Sequence, residues 1–308
     1  MDSSQTAPGI ARAGVGFRDT PMYLFLAAYA ESRIATAAFA LVVLALLLAV
    51  FAPQVTPQNP YDLSQLNIAD SKLAPGETSM MDGYTYILGT DDQGRDLYSG
   101  IVYGLRISLS VGILSTVIAL IIGTAFGLVS AYFGGWVDSV IMRIVDIQLS
   151  FPAILVALIL VAILGKGIDK IIIALVVVQW AYYARTVRGS ALVERSKEYI
   201  EAATCLGLSH NRVVFRHLLP NVMAPLIVVG TVQVAHAIAL EATLSFLGIG
   251  LPVTEPSLGL LISNGFEYMM SGKYWISIYP GVALLITIVS INLVGDRLRD
   301  VLNPRLAR

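Results

Sequence analysis

The sequence predicts an all-α integral membrane protein with six membrane-spanning helices. Of its 308 residues 56% are apolar and 13% charged, against about a quarter charged in an ordinary soluble domain. The apolar residues collect in six uncharged runs, most of them near the roughly 20 residues a helix needs to cross about 30 Å of hydrocarbon. Lys and Arg are shared unevenly among the connecting segments, and that bias orients spans in a bilayer.

Residues 1–33 carry Arg12, Arg18 and Arg33 and form a cytoplasmic N-terminal segment. The first run, 34–51, exceeds the 7–15-residue core of a cleaved signal and begins late, so a retained anchor is expected. Residues 52–106 then form an extracytoplasmic loop. Within it Asp91-Asp92-Gln93-Gly94-Arg95-Asp96 lacks the alternating ligands and terminal Glu of a calcium loop, which leaves a turn with local Asp–Arg pairing. Arg95, Ser99, Val102 and Arg106 fall near one helical stripe and predict an amphipathic helix on the outer surface.

A core domain over 107–295 holds the other five spans. The second run, 107–133, ends at Gly134-Gly135-Trp136. The third, 147–165, has Phe151-Pro152 near its start, where a first-turn proline is tolerated. The fourth, 171–184, is short and extends at both ends, with Lys170 or Arg185 snorkelling to the interface. The fifth and sixth are 218–240 and 274–295, followed by a tail, 296–308. With both termini inside, the cytoplasmic segments hold 14 of the 20 Lys and Arg, so the charged stretch 185–217 is cytoplasmic.

That stretch contains Arg185, Arg188, Arg195, Lys197, Arg212 and Arg216. Each such charge costs roughly 2.5–3.5 kcal/mol at a bilayer centre, so 185–217 is a polar excursion between two spans. Ile200, Ala203 and Gly207 share one helical face, which predicts a short helix with a small-residue surface. Gly207 suits a left-handed helix cap, Ser209 the start of the next turn, and Pro220 the start of the fifth span. Ala202, Ala203 and Gly207 would let another protein's backbone approach closely. The alternative is a turn that packs only on this chain's own spans.

The order Glu201-Ala202-Ala203, three residues, Gly207, then Leu219-Pro220 resembles the cytoplasmic signature of binding-protein-dependent ABC importer permeases, with His217 departing from one apolar position. Leu88-Gly89-Thr90-Asp91-Asp92-Gln93-Gly94-Arg95-Asp96 with Ser99, Gly104, Arg106, Ser108 and Leu109 is similar to the dipeptide/oligopeptide/nickel branch. So are Ser245-Phe246-Leu247-Gly248-Ile249-Gly250 and the motif around Asn292-Leu293, Gly295-Asp296 and Asn303-Pro304-Arg305. The resemblance covers about residues 35–305 and implies a type I importer permease in a bacterial cytoplasmic (inner) membrane, surrounded by lipid. It implies as partners a homologous permease subunit, an extracytoplasmic peptide-binding protein, and two ATPase subunits that dock on Glu201, Ala202, Ala203, Gly207, Leu219 and Pro220. The implied cargo is a dipeptide or oligopeptide, with nickel chelates or glutathione as alternatives.

Other functions find no support. A net charge of −1 and pI near 6.3 give no basic footprint for nucleic acid. Cys205 is the only cysteine, which excludes an intrachain disulfide or a cysteine metal cluster. Gly165-Lys166 and Gly272-Lys273 continue with Gly167 and Tyr274, so no phosphate-cradling loop is present. No cofactor is expected in this chain, ATP and Mg²⁺ being held by the partner ATPases. His210, His217 and His236 have no metalloprotease spacing, and an enzyme is not expected. An ion-driven carrier would place ionisable residues near mid-span, whereas Glu241 and Asp146 fall near span ends. Glu241, with Ser245 and Phe246 in the small-residue stretch 242–251, is the candidate for the substrate path and for a re-entrant gate.

Overall fold

The computed structural model describes residues 21–79, 83–252, 254–255 and 257–302. Most of the N-terminal segment and the Asn303-Pro304-Arg305 tail therefore lie outside the described residues. A short helix α1 (Pro21–Ala30) precedes α2 (Arg33–Val50), which opens where the Ser32 hydroxyl accepts the Ala35 N–H at 3.3 Å. After α3 (Ala52–Val55) the chain winds through short 3₁₀ turns to Asp96. Asp91 and Arg95 pair at 2.7 Å, both almost wholly buried, in the local Asp–Arg turn that the sequence predicts.

Helix α4 (Leu97–Phe133) runs for 37 residues without a break. The amphipathic surface helix expected over 95–106 is instead the lead-in and first three turns of α4, capped by Asp96 through the Ser99 N–H at 2.9 Å. Arg95 is drawn out of the stripe by Asp91, and Ser99 and Val102 are buried. Arg106 alone remains exposed, and one charge makes no interfacial face.

The third run also departs from expectation. It is broken at Phe151-Pro152, its first four residues ending α5 (Gly135–Ser150) and the rest forming α6 (Ala153–Leu164), and the two helices are bent by 91°. Pro152 lacks an N–H and disfavours helical geometry at the residue before it; Phe151 accordingly sits at φ −94°, ψ 143°. Helix α7 (Ile168–Arg195) extends the short fourth run at both ends. The excursion follows as α8 (Glu198–Cys205), α9 (His210–Arg212) and a π-helical turn over Val213–Leu218 that leads into α10 (Leu219–Phe246). A short α11 (Leu258–Phe266) and α12 (Trp275–Leu302) complete the chain. Among the described residues α2, α4, α7, the run His210–Phe246 and α12 are each long and apolar enough to cross a membrane, and the bent pair is apolar enough to make a sixth crossing if its two helices form one span.

Lipid is as apolar as Leu, so helices in a bilayer associate through close contact at small residues rather than through hydrophobic exclusion. Gly123 and Gly127, four apart on α4, provide that contact. A Cβ on Gly123 would lie 2.4 Å from the Trp180 carbonyl oxygen, and one on Gly127 2.6 Å from that of Ala184. Gly295 of α12 meets Thr231 of α10 in the same way. Around these seams Val111, Leu175, Val178, Ala237 and Leu244 form one buried cluster, and Tyr183, Val187, Leu218 and Leu226 another. Helix α2 packs mainly on α12 and α4 and leaves Ile34 and Val50 more than half exposed. Arg297 of α12 ties down α1, donating to the Tyr29 carbonyl at 3.4 Å and to that of Ala28, a cation at a helix C-terminus.

Candidate coupling segment and substrate path

Helix α8 stands at the end of α7 with one side turned inward. Ile200 and Ala203 pack on Val187, Ala191, Val213 and Leu218. The face expected to unite Ile200, Ala203 and Gly207 is therefore divided: Ile200 and Ala203 are buried, whereas Glu201, Ala202, Cys205, Leu206 and Gly207 are exposed. Leu206 is 80% exposed at the tip. Sequence reasoning missed it, although a lone leucine between a helix end and a glycine in a charged segment was a readable signal. Phe215, 64% exposed, was missed likewise.

Gly207 ends α8 in the left-handed conformation at φ +74°. Its N–H donates to the Thr204 carbonyl at 3.0 Å and that of Leu208 to the Ala203 carbonyl at 3.2 Å, the paired bonds of a Schellman ending. Ser209 opens α9 through its backbone, accepting the Arg212 N–H at 2.9 Å, while its hydroxyl makes no cap bond. Leu219 donates its N–H to the Val214 carbonyl, five residues back. Pro220, exposed in the first turn of α10, has no N–H and would crowd the Arg216 carbonyl in a regular helix. The wider π turn accommodates it there. Leu219 beside it is half-buried.

The segment is braced on four helices. Glu194, at the end of α7, accepts from Tyr199 Oη at 2.6 Å and pairs with Lys197 at 2.7 Å. Asn221 of α10 donates to Tyr199 Oη at 3.1 Å and to the His217 carbonyl at 2.6 Å. Burial, reinforced by the Glu194 carboxylate, pushes the Tyr199 phenol up to about 12. On α4, the Ala131 carbonyl accepts from Arg195 at 2.8 Å, and Tyr132 Oη meets His210 Nδ1 at 2.5 Å. Arg188 grips Asp138 of α5 with two bonds of 2.5 and 2.6 Å, and Arg185 pairs with Asp146. Among the described residues Arg212 and Arg216 form no ion pair, so the exposed tip lies beside two available cations.

The second candidate set is largely enclosed within the chain. Glu241 is completely buried, accepting from Ser108 of α4 and from Ser245, each at 2.7 Å, with Ser257, the cap of α11, also bonded to it. Glu241 and Ser245 therefore face the interior of this chain, where three hydroxyls take up the carboxyl oxygens. Only Phe246 is partly exposed, edge-on to Phe266 at 5.9 Å. The stretch 242–251 is not a re-entrant loop either. It is the last turn of α10 and a tight turn in which Leu244 accepts the N–H groups of Ile249 and Gly250. Helix α11 then packs on α10 so closely that a Cβ on Gly259 would lie 2.3 Å from the Ala242 carbonyl oxygen.

Among the described residues, then, five helices long and apolar enough to cross a membrane stand beside one bent pair and a braced helical excursion. Residues 123–308 match the model of the binding-protein-dependent transport system inner membrane component family. The chain belongs to this family. The dipeptide transport system permease protein of Alkalihalophilus pseudofirmus is 36% identical over 276 residues, 90% of this chain and 87% of the relative. The glutathione transport system permease protein of Pectobacterium atrosepticum is 34% identical over 290 residues, 93% and 92% of the two. The oligopeptide transport system permease protein of Bacillus subtilis is 35% identical over 280 residues, 91% and 88%. Among solved structures, a chain of the inward-facing MetNI methionine ABC transporter superposes with a TM-score of 0.53 at 23% identity, covering 66% of this chain and 96% of that one. This inner membrane component thus has the type I importer permease fold and is a multi-pass membrane protein.

Proposed function

We propose that the chain is one of two permease subunits of an ATP-driven importer for dipeptides or oligopeptides. The carrying observation is the excursion 185–217, which presents Glu201, Ala202, Leu206 and Gly207 outward while hydrogen bonds and ion pairs brace it to α4, α7 and α10. An element so tied transmits a push instead of absorbing it. In this reading two partner ATPases hold ATP and Mg²⁺, dock on the exposed side of α8 together with Leu219 and Pro220, and move it when they close. A homologous permease completes the pore, and an extracytoplasmic peptide-binding protein delivers cargo. Alternating access then follows from contacts that differ between the two states. Both termini and the excursion lie in the cytoplasm of a bacterium's inner membrane. Relatives named for dipeptide, oligopeptide and glutathione transport support a peptide cargo.

An ion-driven carrier would need its buried carboxyl to meet water in turn with the cargo, and Glu241 is sealed among hydroxyls. The test is reconstitution of the complete complex in vesicles. ATP hydrolysis should rise on adding binding protein with peptide, and peptide should accumulate only with ATP. Uptake that survives ATP depletion but collapses with the proton gradient would overturn the proposal. A reporter placed between Ser209 and His210 should be cytoplasmic and one between Gln58 and Asn59 outside; the reverse would remove the coupling role.

A further inference from the structure

A cavity of about 730 Å³ lies between α7, α10 and α12. Tyr182 and Thr186, Pro225 and Gln233, and Asp296 and Arg299 are in its wall. Gln233 is 7% exposed, and its side-chain Nε2 has no hydrogen-bond partner, an arrangement that folded proteins normally avoid. Asp296 and Arg299, three residues apart on one side of α12, are exposed, and neither forms an ion pair among the described residues. Pro225 cannot donate to the Asn221 carbonyl, so the wall also offers a backbone oxygen without that bond. Gly295 touching Thr231 fixes α12 against α10 at this level, which sets the acid, the base and the amide around one space.

We infer that this cavity is a transient binding site for a short zwitterionic peptide on its way through the importer. Asp296 takes the α-ammonium group, Arg299 the terminal carboxylate, and Gln233 donates to a peptide carbonyl. The inference rests on the importer reading and adds to it the part of this chain that touches cargo. The volume lies within the usual range for small-ligand pockets, about 300–1,000 Å³. Free charges of both signs with an unsatisfied donor between helices match a molecule that carries both termini and an acceptor, and they mismatch a lipid chain.

The complete complex can test this without the binding protein. In a Cys205→Ser background, Val228→Cys places a thiol in the cavity wall for maleimide labelling. Trialanine at millimolar concentration should slow labelling, and N-acetyl-trialanine amide should not. Asp296→Asn and Arg299→Gln should each weaken the protection up to about fivefold, the effect of losing one exposed charge pair. Equal protection by both peptides, or none by trialanine, would overturn the site; so would a thiol unreactive before any peptide is added, because the partner subunit would then fill the space. Import of trialanine by the same complex, reconstituted in vesicles with its binding protein added, separates the two readings. Import without protection removes the site alone, whereas protection without ATP-dependent import removes the importer reading.

Discussion

A Cβ on Gly207 would meet nothing within 4 Å, yet the residue holds φ at +74°. Glycine is required there by backbone conformation and not by crowding within the chain. Gly207→Val should cost on the order of 1–3 kcal/mol locally and blunt the exposed tip, leaving membrane abundance intact while binding-protein-stimulated ATP hydrolysis falls. Gly207→Asn, better suited to the left-handed region, should retain more of that stimulation; equal loss in both would place the effect on docking alone. At the opposite end of α4, burial, with Asp91 beside it, pushes the Asp92 carboxyl above its ordinary range, and its Oδ1 has no partner. The protonated form is therefore favoured by folding. Its contribution is complete below the ordinary carboxyl value near about 4 and is lost as pH rises through the raised one. Hydrogen exchange of residues 56–79, corrected for intrinsic rates, should speed up as pH climbs toward neutrality, and Asp92→Asn should flatten that dependence. Gly207 was legible because positive φ at a helix end belongs to the local sequence. Glu241 was not, because its burial is set by Ser108, 133 residues away, and a position along a run says nothing about which neighbour covers it.

The α4–α7 seam shows what helix-level reading can and cannot recover. Hydropathy located both helices, but the Gly123-x-x-x-Gly127 contact went unnoticed within an apolar run where glycine attracts little attention. Gly127→Val would push a β-branched side chain into the Ala184 carbonyl and Val187. Overpacking of this kind typically costs about 1–3 kcal/mol. The variant should show reduced membrane abundance and lower thermal stability in detergent, while Gly189→Ala on the same helix pair, where a Cβ meets nothing within 4 Å, should match the parent. Unchanged abundance in Gly127→Val would show that the seam can open without loss. The bent α5–α6 pair escaped notice for a related reason: proline tolerance depends on where a helix begins, and apolar residues on both sides of Phe151-Pro152 hid the true start. The short fourth run, by contrast, extended past Arg185 as expected, because polar residues at the end of a span do not end its helix.

As a whole the molecule shows a lipid-facing exterior and few enclosed surfaces. The most apolar stretch of α2 is only 17% buried and that of α7, the most enclosed, 56%. On the proposed importer reading such a chain is half of a pore, and ATP handling should belong to the other subunits. Titration of ATP into the purified chain should give no binding signal, whereas the assembled complex should bind and hydrolyse it; stoichiometric binding by the lone chain would contradict the division of labour. One feature joins the two ends of the molecule. Helix α4 has 37 residues, about 55 Å at 1.5 Å each, so it overreaches about 30 Å of hydrocarbon. One end touches the excursion through Tyr132 and His210, the other carries the Asp91–Asp96 turn, and the closest contact with α7 falls at Gly123 and Gly127. Were α4 to pivot there, a tilt of about 10° would swing Leu97 through roughly 7 Å over the long arm, while Tyr132 on the short arm would travel less than half as far.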